Sequence, residues 1–355
     1  MVDWLAGKRI KGTSSERTTG TWTRFPSSAV GGWVELGRST LQSAGDTMEV
    51  TGLANKKYLM LLSRRIASGN MQVQPTFNGD TQTNYSYRRI NDGGSDLTSG
   101  INKNYIANYN GWNTTEFNVA YVSNTLNSDK LLIGHTVSDR GASAPSRNEC
   151  YGKWTGSSVI SSIETNNTET GNLDTDSELV VLGWDPSDTH TTNFWEELAS
   201  VNATGSTATF NTGTFTAKKY LWIQCWYKAS GGGLNAGLQV GNNSISSSSY
   251  SWRSNQNGSE GTGSGSSIIL DSGTTDSGET GFANIFVMNK SNTRKYFIID
   301  QISEIASSAG TPPNRRQTVG QWDNTSDQIN IVGLYDAGTG GNFTSSSLIK
   351  VWGSN

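Results

Sequence analysis

The feature that most constrains this chain is an internal duplication. Trp33-Val-Glu-Leu36 followed by Lys56-Lys-Tyr-Leu59 is answered by Trp195-Glu-Glu-Leu198 followed by Lys218-Lys-Tyr-Leu221, both at an offset of about 162 positions. Tyr85-Ser-Tyr-Arg88 is answered by Tyr250-Ser-Trp-Arg253, and Phe117-Asn-Val-Ala by Phe282-Ala-Asn-Ile. Pro145-Ser-Arg147 with Gly152-Lys-Trp154 returns as Pro313-Asn-Arg315 with Gly320-Gln-Trp322, and Gly171-Asn172 returns as Gly341-Asn342. The offset drifts only to about 170, as small loop insertions produce. Ordered matches of this kind define two copies of one module.

The duplication sets the domain organisation. Residues 1–30 form an N-terminal arm outside both copies, carrying Lys8, Arg9, Lys11, Arg17 and Arg24. Residues 31–183 are the first repeat, 184–193 a linker with Asp-Pro-Ser-Asp turn chemistry, and 194–355 the second repeat. A linker of this length permits the copies to lie side by side or end to end. The arm is a solvated terminus on its plainest reading, and an inter-subunit arm or, least favoured, a nucleic-acid contact on the functional ones.

Each copy reads as short strands. Phe117, Val119 and Tyr121 alternate with smaller or polar residues, as do Met71 and Val73 with Gln72 and Gln74, the period of half-buried strands. Tyr58–Leu62, Lys130–Ile133 and Tyr296–Ile299 are continuous apolar runs suited to central strands covered on both faces. Asn78-Gly79, Asp92-Gly93, Asn110-Gly111 and Asn257-Gly258 supply the positive φ of tight turns. No helix is expected. The fold class that follows is all-β, two tandem jelly-roll-like antiparallel β-sandwiches.

Function is approached largely by exclusion. A net charge of −3 with 16% charged residues gives no basic stripe for nucleic acid or anionic membrane, while 12 Trp, 12 Tyr and 10 Phe can fill cores. Two cysteines, Cys150 and Cys225, exclude a disulfide framework and a four-thiolate metal site. No run of apolar residues is long enough to span a membrane as a helix, and the N-terminus lacks the order of a signal peptide, so membrane insertion and general secretion are not expected. His135 and His190 stand apart in sequence, and no nucleophile–base trio presents itself. Glu149, Glu196 and Glu197 are carboxylates, but adjacent strand residues point to opposite faces, so Glu196 and Glu197 cannot serve one site. Asp174-Thr-Asp176-Ser-Glu178 is the best cation-loop candidate, against a plainer reading as a polar turn. No catalytic residue, cofactor site or metal site is assigned.

Aromatic side chains leave one binding chemistry open. Trp33/Trp195 and Trp154/Trp322 recur in both copies, as core positions do. Trp112, Trp226 and Trp252 have no tryptophan equivalent and are the candidates for stacking on a glycan.

Phe77-Asn-Gly-Asp80, Asn84-Tyr-Ser-Tyr87, Gly341-Asn-Phe343 and the closing strand Leu348–Gly353 resemble a module of tailed-phage and marine-virus virions. The likeness covers both repeats, and its motifs are turns and strand ends. It implies a jelly-roll virion protein, made in the host cytoplasm and located in the virion, with no enzymatic activity. The function expected is a self-assembling capsid or virion-surface subunit whose partners are itself and other virion proteins. A receptor-binding tail or fibre component that recognises cell-surface glycans is the alternative, and an extracellular filament or surface-layer subunit a further one. The second copy departs at Gly241-Asn-Asn-Ser244, which sets apart any ligand use of that loop.

Overall fold

The computed structural model describes residues 2–3, 11–12, 32–95, 97–107, 114–185, 193–271, 278–304, 311–338 and 340–355, with the side chains of 2–3, 11–12 and 97–99 excepted. Among these residues there is no helix. The first copy forms an eight-stranded sheet in the order Val34–Thr40, Glu178–Trp184, Tyr58–Arg65, Glu116–Ser123, Lys130–Ser138, Ser146–Trp154, Tyr85–Asn91, Leu97–Lys103. A three-stranded sheet of Thr47–Val50, Ile163–Asn167 and Val73–Phe77 packs on one of its faces.

The second copy repeats this order strand for strand: Glu196–Asn202, Leu348–Ser354, Tyr220–Lys228, Thr280–Met288, Lys295–Ser303, Asn314–Trp322, Tyr250–Gln256, Ser259–Gly265. Its smaller sheet is five-stranded and is built around Ile331–Asp336 and Ala236–Asn242. Registers repeat as well. Tyr58 pairs with Ser123 as Tyr220 pairs with Met288, and Glu178 with Arg64 as Leu348 with Trp226. Even buried hydrogen bonds are duplicated. Lys130 Nζ donates to the carbonyls of Ser128 and Gly156, and Lys295 Nζ to those of Thr293 and Asn324.

Each sandwich has its own core. Leu59, Leu61, Phe77, Tyr85, Cys150 and Trp154 meet in the first, and Leu221, Cys225, Tyr250, Phe297, Ile299 and Trp322 in the second. Tyr85 stacks on Trp154 and Tyr250 on Trp322, so the recurrent Trp154/Trp322 pair is core. Cys150 and Cys225 lie in different cores. The turns behave as their residues require: Asn78-Gly79, Asp92-Gly93 and Asn257-Gly258 all have positive φ, whereas Asn110-Gly111 lies outside the described residues.

A third core joins the copies. Met60, Leu62, Phe117, Val119, Val137, Val180 and Leu182 on the outer face of the first large sheet pack against Trp195, Tyr220, Phe286, Met288, Tyr296, Ile298, Val319 and Trp352 on that of the second. The molecule is thus four layers of sheet, with the two large sheets in the middle. Strands Tyr58–Arg65 and Lys295–Ser303 are apolar without alternation because alternate residues enter different cores: Leu59 and Leu61 inward, Met60 and Leu62 toward the other copy.

Two expectations are corrected by this arrangement. The alternation of Phe117, Val119 and Tyr121 marks a strand covered on both faces, because Ala120 and Val122 line the inner core while Phe117 and Val119 line the shared one. Lys130–Ile133, read as covered on both faces, is open on one: Leu132 is buried, but Leu131 is 56% and Ile133 48% exposed. The strand continues beyond the area that the second copy covers.

Candidate interaction surface

Two of the ionisable groups that sequence put forward, Asp176 and Glu178, are drawn into the joint between the copies. Glu178, which ends the Asp174–Glu178 stretch, is buried and accepts hydrogen bonds from Lys219 Nζ at 2.6 Å, Thr40 Oγ1 at 2.8 Å and the Tyr220 hydroxyl. Burial opposes its charge. The hydrogen bonds from Lys219 and Tyr220, with the Lys219 and Arg38 charges, outweigh burial and hold the carboxyl below the usual glutamate range. Asp176, at φ 69°, pairs with Lys290 of the second copy at 2.7 Å. Asp174 accepts the backbone N–H of Thr175. The three carboxylates therefore diverge, two of them to lysines of the other sandwich, and the stretch is a clasp rather than a cation loop. Among the described residues no cluster of three or more His, Cys, Asp or Glu has metal-binding geometry.

A second clasp closes the other side of the joint. Asp139 accepts from Arg294 Nη1 at 3.0 Å and from the Tyr296 hydroxyl at 3.1 Å. Arg253 Nε donates to the Pro145 carbonyl at 3.1 Å, and Arg147 bridges Glu149 and Glu260. Glu149 is thereby accounted for by its own strand neighbour. Glu196 pairs with Lys218 and Glu197 with Lys350, on separate sides of the strand as their adjacency requires. His135 sits between Val119 and Glu149 in the first large sheet, and His190 lies outside the described residues. A recess at the joint is lined by Ala142, Ser248, Ser251, Gln321 and Asp323, and its polar groups are mainly hydroxyls and amides.

The turn Phe77–Asp80 is an internal bracket. Asn78 Oδ1 accepts the backbone N–H groups of Ser161 and Ser162, and Asp80 accepts Trp154 Nε1 at 2.7 Å and Asn84 Nδ2 at 2.9 Å. These residues tie one sheet to the other.

The three tryptophans proposed for stacking are not brought together. Trp112 lies outside the described residues. Trp252 is half-buried against the second core, with the Arg316 guanidinium 5.9 Å from its ring. Its counterpart is Tyr87, which occupies the equivalent strand position beside the equivalent core. Trp226 alone lies on an outer face. It stands between Leu348 and Phe282 in register, and Ile302 follows Phe282, forming one row across four strands. Phe282 is 39% and Ile302 46% exposed, and Trp226 and Leu348 are partly so. Sequence reasoning found Trp226 by its lack of a tryptophan equivalent. It missed Phe282 and Ile302, since Phe282 matches a residue that is core in the first copy.

Chemically, this row offers an apolar contact surface with no nucleophile or paired carboxylate in it. No family model matches the chain, and no curated protein matches it. Among solved structures, domains LG4–5 of the mouse laminin α1 chain are similar over 92% of this chain and 91% of that one, at 11% identity and a TM-score of 0.20. Neisserial surface protein A is similar over 79% of this chain and 97% of that one, at 6% identity and a TM-score of 0.13. Likenesses this distant carry no argument, and the tandem sandwich description rests on the strand pairing above. No helix among the described residues is long and apolar enough to cross a membrane.

Proposed function

We propose that this chain is a non-enzymatic virion structural protein, a capsid or virion-surface subunit that assembles with copies of itself. The observation that supports it most is the third core. A duplicated module sealed large sheet to large sheet makes one firm building block. Because the copies have diverged, that block presents two related but unlike sets of surfaces for lattice contacts. Glu178 and Asp176 are engaged in holding the block together, and Glu196 and Glu197 pair with lysines of their own sandwich. The viral assignment rests on the resemblance of the turn motifs, which here act as structural brackets.

Electron microscopy of the purified protein with light scattering on the same sample tests this reading. Closed shells or regular sheets are expected, and a monomer at every concentration would overturn it. A second reading, glycan recognition by a tail or fibre component, is favoured by the pairing of partly exposed Trp226 with exposed Phe282. A glycan array with wild-type protein and Trp226→Ala tests it, and equal signals from both would dismiss it.

A further inference from the structure

The two copies meet through shifted surfaces: Met60, Tyr121 and Leu182 enter the joint as do their equivalents Trp222, Phe286 and Trp352, but the rows on either side differ. Because their registers coincide, each outer-face residue of one large sheet has a defined equivalent on the other. The first copy contributes the row Glu178, Arg64, Phe117, Val137, all 6% exposed or less. The equivalent row of the second copy is Leu348, Trp226, Phe282, Ile302, which lies on the joint-facing side of its sheet but beyond the part that the first copy covers. The second copy contributes Tyr220, Tyr296, Ile298 and Val319, all 4% exposed or less. Their equivalents in the first copy are Tyr58, Leu131, Ile133 and Tyr151, at 44%, 56%, 48% and 43% exposed. The joint is therefore heterologous, a "head" on the first copy against a "tail" on the second.

A heterologous joint inside one chain leaves the other head and the other tail unused. Here the unused surfaces are the apolar ones. Of the eight large hydrophobic side chains exposed among the described residues, Phe282 and Ile302 lie on the unused head, and Tyr58, Leu131, Ile133 and Tyr151 on the unused tail. Exposed apolar area gathered in this way marks an interaction site. We infer that the occupant of each is a second copy of this chain: the Trp226–Phe282–Ile302 face of one molecule docks on the Tyr58–Leu131–Ile133 face of the next. The inference deepens the assembly reading and rests on it. Repetition of a heterologous contact gives rings when the rotation closes and filaments when it does not.

The contact between chains differs from the one within a chain in a defined way. Leu348 stands where Glu178 does, so the ionic clasp to Lys219 has no equivalent between molecules. Glu304 occupies the place of Asp139, and Asp129 that of Arg294, so one attractive pair is replaced by like charges. Association is consequently apolar and reversible, and added salt leaves it unchanged or strengthens it.

The test is a mixing experiment on full-length protein, with mass read by light scattering and ultracentrifugation over a concentration series. Ile302→Lys disables the head and Ile133→Lys the tail, with Ile302→Ser and Ile133→Ser as milder versions and circular dichroism confirming the fold. Wild-type protein is expected to grow beyond dimers with concentration. Each variant alone is expected to remain monomeric, and the two mixed to form one-to-one dimers that grow no further. A variant that dimerises by itself would show a symmetric contact and overturn the inference. Wild-type assembly that both variants leave intact would overturn it while sparing the assembly reading. A monomeric wild type would overturn both.

Discussion

Lys219 of the second sandwich reaches Glu178 of the first at 2.6 Å, and the Tyr220 hydroxyl binds the same carboxylate from the next position along the chain. Two adjacent residues of one copy thus close on one buried acid of the other. Removing the charge with Glu178→Gln leaves Lys219 facing an amide. The expected loss is about 2–4 kcal/mol, below the figure for a sealed pair because Lys219 retains contact with water. The sign with pH follows from the depressed carboxyl pKa. The stabilisation is present above the ordinary glutamate range and is lost as pH falls through the lower folded value. Urea unfolding from pH 7 down to pH 3 should show a steeper acid loss in wild type than in the variant.

Much of the fold was legible because duplication and turn chemistry are local signals. The Asn-Gly and Asp-Gly turns, the strand runs and the recurrent Trp154/Trp322 pair all follow from residue type and spacing. The joint was not legible. Tyr58, Leu131 and Ile133 have the character of their buried equivalents Tyr220, Tyr296 and Ile298, and no pattern within one strand says which set another sheet covers. The clasp made by the Asp174–Glu178 stretch, read as a polar turn with a cation loop as the lesser candidate, was not legible for a similar reason: its partners, Lys219 and Lys290, come from the other copy.

Phe286 and Phe297 separate the joint from the module core. Phe286 stacks on Trp222 at 5.7 Å in the shared core, and Phe297 is fully buried inside the second sandwich. Either truncation to alanine costs about 3–5 kcal/mol. Calorimetry should distinguish them: Phe286→Ala splits the unfolding transition as the copies uncouple, while Phe297→Ala lowers the second sandwich selectively. Identical single transitions for both variants would contradict a separable joint.

Cys150 and Cys225 are each buried in a different core, and burial pushes both thiols up to about 12. Thiolate is the reacting form, so neither should react with a disulfide reagent in native protein at pH 8. Both should react on unfolding in guanidinium. Rapid native labelling of either would mean that its core opens readily.

Lys295 provides a test at alkaline pH. Its side chain is buried with its ammonium on two carbonyls, and burial lowers its pKa to about 8. The folded state therefore binds this proton less tightly than the unfolded chain does, where lysine titrates near 10.4. Between those values the unfolded state holds more protons, so this residue adds stability as pH rises from about 8 toward 10 and is a net cost below that window. Lys295→Met keeps the stem and removes the titration. Wild type minus variant stability, measured by urea unfolding at pH 7, 8, 9 and 10, should climb across the window, and a flat difference would show that the two carbonyls compensate the buried charge in full.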